Sequence, residues 1–490
     1  MKRRVCLIIC IAALLLAASV LPVHADSAQA VDLTRKCSFD FGDYRSAEGR
    51  VLREPEQYQI FRPEDSFSFT WEEAFDGARL CLTWQALPEG VAVLQYDADG
   101  VLLCSETLDS FYETITPLLP DARKAVVQSG KDGMRVRFCS VYGAGELPEP
   151  FHEWNKTPER VDYLLISTHP DDDVLFMGCI IPTYGAEQGY IGSIVYVTRM
   201  RDDNNARIRA SEAENAAWTM GLRSYPVFLN MPDVTQNASK ERKSTFRYDE
   251  LLQNLVRVYR RLKPLVVFAQ DENGEYGHWQ HKLVSKASRE AFALAADPTY
   301  DPDSAEQYGT WQVQKLFLHL YPENRITVDA HAPLSFFGGR DAFEVACEAY
   351  KKHKSQQRYW FKVERDKGKY PFNHFGMAEG VVPVGEDVFD NIDETLFCGY
   401  VPSTPEPTAE PTPEPTPVHT PEPTPEPTRE PTPKPDPAPA TSEPAPQAEK
   451  PDPTPLILTG AITSAAAIAV GVAAYFWKKR RMAKQPSERE

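Results

Sequence analysis

Ser167-Thr168-His169-Pro170-Asp171-Asp172-Asp173 follows directly on the apolar run Val161-Asp162-Tyr163-Leu164-Leu165-Ile166. The run is short, β-branched and aromatic, which is the pattern of a strand buried on both faces. It stops where a histidine and three consecutive carboxylates begin. Like charges this close raise one another's proton affinity and repel unless a cation sits among them. Imidazole nitrogen with carboxylate oxygen is a donor set that suits zinc and similar divalent ions. In open α/β sheets ligands collect at the carboxyl ends of strands, and this cluster stands at such an end. The competing reading is a turn and a helix cap, for which Asp and Pro are also the usual residues.

A second cluster shifts the balance. Gly277-His278-Trp279-Gln280-His281 follows another apolar run, Leu265-Val266-Val267-Phe268-Ala269. His278 and His281 are three residues apart and open an expected helix from Trp279 to Ala295, so both imidazoles can share one side of its first turn. Two strand-end clusters that both carry histidine can converge on one ion.

The surrounding chain alternates strands and helices. Ile191 to Val197, Pro226 to Leu229, Leu265 to Ala269 and Lys315 to Leu318 read as strands. Asn204 to Met220, closed by Gly221, and Tyr248 to Leu262 read as helices, the second with Leu251, Leu252, Leu255, Val258 and Tyr259 at helix-face spacing. This alternation predicts an α/β domain over residues 155–400, with a Rossmann-like, largely parallel sheet and helices on both faces. No Gly-x-Gly-x-x-Gly follows its first strand.

The two clusters and the segment between them resemble the PIG-L/LmbE-like N-acetylglucosaminyl de-N-acetylases. The resemblance rests on His169-Pro170-Asp171-Asp172-Asp173, on Arg209-Ala210-Ser211-Glu212 with Gly221-Leu222, and on His278-Trp279-Gln280-His281. Asp173 stands where that family usually has Glu, and Gln280 where many members have Asp. The match runs from about Arg160 to Ala295. It implies a zinc ion, or another divalent metal, on His169, Asp172 and His281. It implies Asp171 as general base, and His278 to stabilise the oxyanion or protonate the leaving amine. The implied reaction is removal of an N-acetyl group from an N-acetylglucosamine-containing glycan. Arg209, and Arg201 in the loop Thr198-Arg199-Met200-Arg201-Asp202-Asp203, are candidate substrate contacts, with a solvated loop as the equal alternative for the latter. His353 reads as a surface or packing residue. Two other readings compete for the whole chain: a non-catalytic glycan-binding surface protein, and a hydrolase of a different amide.

Outward from this domain the composition changes. Residues 1–25, basic and then apolar up to Val23-His24-Ala25, form an expected signal peptide. Residues 26–150 carry short alternating runs, such as Ser66 to Trp71, Arg79 to Trp84, Val91 to Tyr96 and Met134 to Cys139, separated by turns. They predict an all-β sandwich-like domain that either binds sugar or supports its neighbour. Residues 401–455 are a Thr-Pro-Glu-Pro stalk that cannot build a core; at roughly 3.1 Å per residue it reaches on the order of 150 Å. Residues 456–477 are long and apolar enough for one C-terminal transmembrane helix, and residues 478–490 are a basic tail that places that end in the cytoplasm. The expected topology is single-pass in a cell membrane, with the ectodomain outside, as on a bacterial surface. Nine cysteines include Cys6 and Cys10, which leave with the signal peptide; the remaining number is odd, so at least one thiol stays unpaired within the chain. A net charge of −17 argues against a nucleic-acid partner.

Overall fold

The computed structural model describes residues 28–53, 56–199 and 203–399, all within one compact unit. The signal peptide, stalk, transmembrane run and basic tail expected from the sequence lie outside these residues. Among the described residues no helix is long and apolar enough to cross a membrane.

The N-terminal strands are β1 (Ser38–Asp40), β2 (Gln59–Phe61), β3 (Ser66–Thr70), β4 (Arg79–Trp84), β5 (Ala92–Tyr96), β6 (Leu102–Thr107), β7 (Glu113–Pro117), β8 (Lys124–Gln128) and β9 (Met134–Tyr142), with a short helix α1 (Ala47–Leu52). They form two antiparallel sheets, in the orders β1-β3-β8-β5-β6 and β2-β9-β4-β7. Alternate side chains from both sheets, including Phe67, Phe69, Val127, Leu82, Trp84 and Val136, fill one shared core. A period of two puts every second residue inside, which is why these strands read as alternating runs.

The following segment holds a seven-stranded sheet. Its strands are β10 (Tyr163–Ser167), β11 (Gly192–Arg199), β12 (Val227–Pro232), β13 (Val266–Ala269), β14 (Lys315–His319), β15 (Arg325–Thr327) and β16 (His374–Gly380), in the order β12-β11-β10-β13-β14-β16-β15. Pairing is parallel from β12 to β14, and β16 runs antiparallel to both β14 and β15. Leu165 pairs with Ile194 on one side and Phe268 on the other, so the carboxyl ends of the central strands lie side by side.

Helices α2 (Asp172–Met177), α3 (Asp203–Thr219), α4 (Tyr248–Leu262), α5 (Trp279–Leu294) and α6 (Ala342–Lys352) flank this sheet. Tyr163, Leu165, Tyr196 and Phe268 join one core with residues of α2, α3 and α6. Leu164, Ile166, Val197 and Val267 join a second core with residues of α4 and α5. Strands covered on both faces are apolar throughout, which explains the unbroken runs in the sequence. The expected helix Tyr248 to Leu262 and the strand from Lys315 match closely. The antiparallel β15–β16 pair and α6 have no counterpart in the expectations above.

Candidate metal centre

Every polar group of the centre comes from the carboxyl end of a parallel strand. His169 to Asp173 follow β10, Asp233 follows β12, Gln270 to His281 follow β13, and His319 is the last residue of β14. His169 Nδ1 lies 3.0 Å from Asp172 Oδ2 and 3.1 Å from His281 Nε2. His281 Nε2 lies 3.2 Å from the same Asp172 oxygen, which closes the triangle. Three donors held at about 2.1 Å from one tetrahedral ion stand about 3.4 Å apart, so the triangle is slightly tighter than an occupied site. One ring nitrogen each of His169, His278 and His281 also falls within a 4.8 Å group. That set is looser, and it differs from the first only by exchanging Asp172 for His278.

The electrostatics fit a cation. Burial alone would lower His281, but Asp172 and Glu275 outweigh it and raise the group to about 10. Burial likewise opposes protonation of His169, and Asp172 again turns the shift upward. Burial would raise Asp172, yet His281 and His169 hold it well below the ordinary carboxylate range. Two imidazoles drawn toward a positive charge around one ionised carboxylate are what a divalent ion would satisfy. His278 behaves differently. Burial and the neighbouring His169 and His281 push it down to about 3, and its enclosed Nδ1 has no hydrogen-bond partner among the described residues.

Each donor is fixed from behind. Asp172 Oδ2 accepts from Gln270 Nε2 at 2.7 Å and from the His169 amide at 2.8 Å, and Thr168 Oγ1 donates to Gln270 Oε1. His281 Nδ1 faces Glu275 Oε2 at 2.8 Å, and the other Glu275 oxygen faces His319 Nδ1 at 2.7 Å. A carboxylate behind a ligating histidine sets its tautomer and leaves Nε2 free for the ion. Behind His169, Nε2 meets Gln280 Oε1 at 3.4 Å and Asp233 Oδ1 at 3.7 Å. Gln280 and, farther off, the Asp233 carboxylate from another strand end thus face the second nitrogen of this ring.

Asp171 stands outside the triangle. Its Oδ1 accepts from Arg209 Nη2 at 2.9 Å, and the same guanidinium donates to the Pro170 carbonyl. Burial raises Asp171 to about 6, against the pull of Arg209. Arg209, expected as a substrate contact, is only 4% exposed and is engaged in positioning this motif. Arg201 lies outside the described residues. Asp173 is fully buried, accepts from the Tyr196 hydroxyl at 3.0 Å, and is raised by burial to about 7. His353 is fully buried as well.

Sequence reasoning did not find Gln270, Glu275, His319 or Asp233. Glu275 was the most accessible of these, since it precedes His278 in the same loop. His319 had only its place at a strand's carboxyl end to mark it.

Comparison with known proteins finds similarity to one family in this part of the chain. The family model for GlcNAc-PI de-N-acetylases, PIG-L, matches residues 164–292. The 1D-myo-inositol 2-acetamido-2-deoxy-alpha-D-glucopyranoside deacetylase 1 of Catenulispora acidiphila is 29% identical over 185 residues, covering 33% of this chain and 56% of the relative. The corresponding deacetylase of Streptomyces scabiei is 28% identical over 202 residues, covering 36% and 60%. The chain therefore spans well under two thirds of the length of either relative. Among solved structures, the N,N'-diacetylchitobiose deacetylase of Pyrococcus horikoshii aligns with 22% identity and a TM-score of 0.33, over 40% of this chain and 71% of that one. Residues 164–292, which hold both histidine clusters, carry the match to the PIG-L family domain.

Proposed function

We propose that this protein is a metal-dependent hydrolase that removes the N-acetyl group from an acetamido sugar in a glycan or glycoconjugate. The observation that carries the reading is the close triangle of His169, Asp172 and His281 with the buried Asp171 beside it. Those three side chains would hold a divalent ion, with zinc as the proposed metal, and such an ion would supply Lewis acidity toward the acyl oxygen and lower the pKa of water. Asp171, raised toward neutrality by burial, takes the proton from the attacking water. Arg209 keeps that carboxylate in place. His278, kept neutral by burial and the neighbouring imidazoles, is the proposed N–H donor to the developing oxyanion, and Asp171 passes the proton it has taken from water to the leaving amine. Glu275 holds His281 in the tautomer that presents Nε2. The products are a free amino sugar and acetate.

We also propose that the enzyme is exported and held in a cell membrane by residues 456–477, with the stalk carrying the catalytic head outward. The support is the order of signal peptide, stalk, apolar run and basic tail in the sequence.

Acetate release by the full-length protein from a panel of N-acetylated sugars, with and without chelator, tests the reaction. The expected result is chelator-sensitive release; undiminished release after complete metal removal overturns the mechanism. His281→Ala is expected to lose most bound metal, because two remaining donors make a weak site. Full occupancy in that variant, read by elemental analysis, removes His281 from the ligand set.

A further inference from the structure

A series of aromatic rings leads from the metal centre to the surface, and the proposed chemistry uses none of them. The Phe176 ring lies 6.2 Å from that of His281, Tyr276 lies 5.6 Å from Phe176, and Trp360 lies 5.1 Å from Tyr276. Tyr370 packs on the same Tyr276 ring at 4.9 Å. Exposure grows outward along the series. Phe176 is buried, Tyr276 is half-buried, and Trp360 is 68% exposed with Tyr359 beside it at 47%. A tryptophan left this open forgoes one of the largest burial gains any side chain can make.

The inner end of the series is held firmly. Tyr276 adopts φ of 57°, a region that disfavours side chains other than glycine, and its amide donates to the Tyr370 hydroxyl at 3.0 Å. It stands two residues before His278. Trp360 meets the Tyr276 ring at an interplanar angle of 81°, so it is propped edge to face. The exposed surface is narrow. Arg358 stacks over Tyr359 at 5.0 Å, and Lys362 follows in the chain. A lipid surface or a partner helix would need a wider continuous apolar area. An open tryptophan face beside one cation-covered tyrosine suits a pyranose, whose face of polarised C–H groups complements the negative face of the ring while its hydroxyls stay wet.

We propose that Trp360, supported by Tyr276, is a stacking platform for a further sugar ring of the chain that carries the cleaved acetamide. The substrate class is then an extended N-acetylated oligosaccharide rather than a single sugar. This inference rests on the deacetylase reading and names the substrate of the same site.

The test compares full-length, zinc-loaded protein with Trp360→Ala and Trp360→Phe, using the β-1,4-linked tetramer and the monomer of N-acetylglucosamine. The ratio of kcat/KM for tetramer to that for monomer is expected to fall about tenfold in Trp360→Ala, through KM, as truncation of an aromatic anchor does. Trp360→Phe should retain most of it. An unchanged ratio in Trp360→Ala overturns the platform. Calorimetric titration with the tetramer separates the two readings. Binding that weakens about tenfold in Trp360→Ala, without acetate release by any form, supports the platform and ends the deacetylase reading. No binding and no release by the unaltered protein ends both.

Discussion

Asp171 and Asp172 are neighbours in the chain, yet their surroundings pull their proton affinities apart. Asp171 is raised by burial to about 6, while His281 and His169 overcome the same burial at Asp172 and hold it ionised. Two titratable groups divided in this way are what a hydrolytic site needs: one stays charged toward the ion, and one exchanges a proton near neutral pH. Asp171→Asn keeps the shape and the contact with Arg209 but cannot take a proton. It should retain metal and lose deacetylation by roughly 10²-fold or more, the usual scale for a positioned base. Asp172→Ala should lose both. If Asp171 only caps α2, Asn serves nearly as well, and a fast, metal-loaded Asp171→Asn enzyme would reject the assignment. At this scale the sequence was informative about residue type and spacing. It could not show that the Arg209 side chain turns inward to Asp171, because that direction depends on how α3 packs over the loop after β10.

The loop from Asp271 to His281 is the element on which the centre depends most. Gly274 holds φ of +66°, and a Cβ there would stand 2.4 Å from the His278 carbonyl oxygen. The Lys282 Cγ at 3.0 Å can yield, but the His278 oxygen, and its amide nitrogen at 3.1 Å, are backbone and cannot move without shifting the loop. Gly274→Ala should cost more than about 1 kcal/mol and displace His278. The expected readout is a lower melting temperature together with a larger fall in kcat than in bound metal; unchanged kcat would show that the loop tolerates the shift. Glu275 acts differently, since it is fully buried and bridges His281 and His319. Glu275→Gln preserves its volume but weakens the hold on His281. Metal affinity should fall by about 10–100-fold, measured by competition with a chelator. An affinity equal to that of the parent would mean that His281 is oriented by something else. Helices α4 and α5 were legible because their apolar residues recur at helical spacing over several turns. Helix α6 was not read, although Asp341 and Glu344 form a capping box at its start and that pattern is visible in the sequence. The pair β15–β16 is harder. Arg325–Thr327 is three residues long, and its order comes from pairing with a strand far along the chain, which no local pattern encodes.

Across the whole molecule, the β sheets and the α/β segment meet through groups that a sequence reading treats separately. The Phe111 ring stacks on Tyr225, and Arg79 pairs at 3.0 Å with Glu153 of the segment that connects the two. Between them Glu113, on β7, faces Glu214, on α3, and Tyr225 donates its hydroxyl to Glu214 at 2.6 Å. Burial raises Glu113 to about 7, against the opposing pull of Arg207 and of the nearby Ser211 and Glu214. Burial and the nearby Glu113 raise Glu214 too. In the unfolded chain both carboxyls lose their protons at the ordinary, lower values. Between that range and pH of about 7, the folded protein therefore holds more protons than the unfolded one. Stability must then fall as pH rises through this window, by up to about 1.4 kcal/mol per pH unit for each fully linked proton. Asp171 and Asp173, also raised by burial, contribute in the same direction, so the slope of the unaltered protein alone does not isolate the interface. Glu113→Gln does isolate it: the amide keeps the shape, cannot ionise, and relieves Glu214 of a like charge. Thermal melts from about pH 5 to about pH 7.5 should show a shallower loss of stability in the variant, with its melting temperature above the parent's at the alkaline end. Parallel curves would mean that the two carboxyls do not share a proton across this interface, and that some other contact joins the two halves of the head.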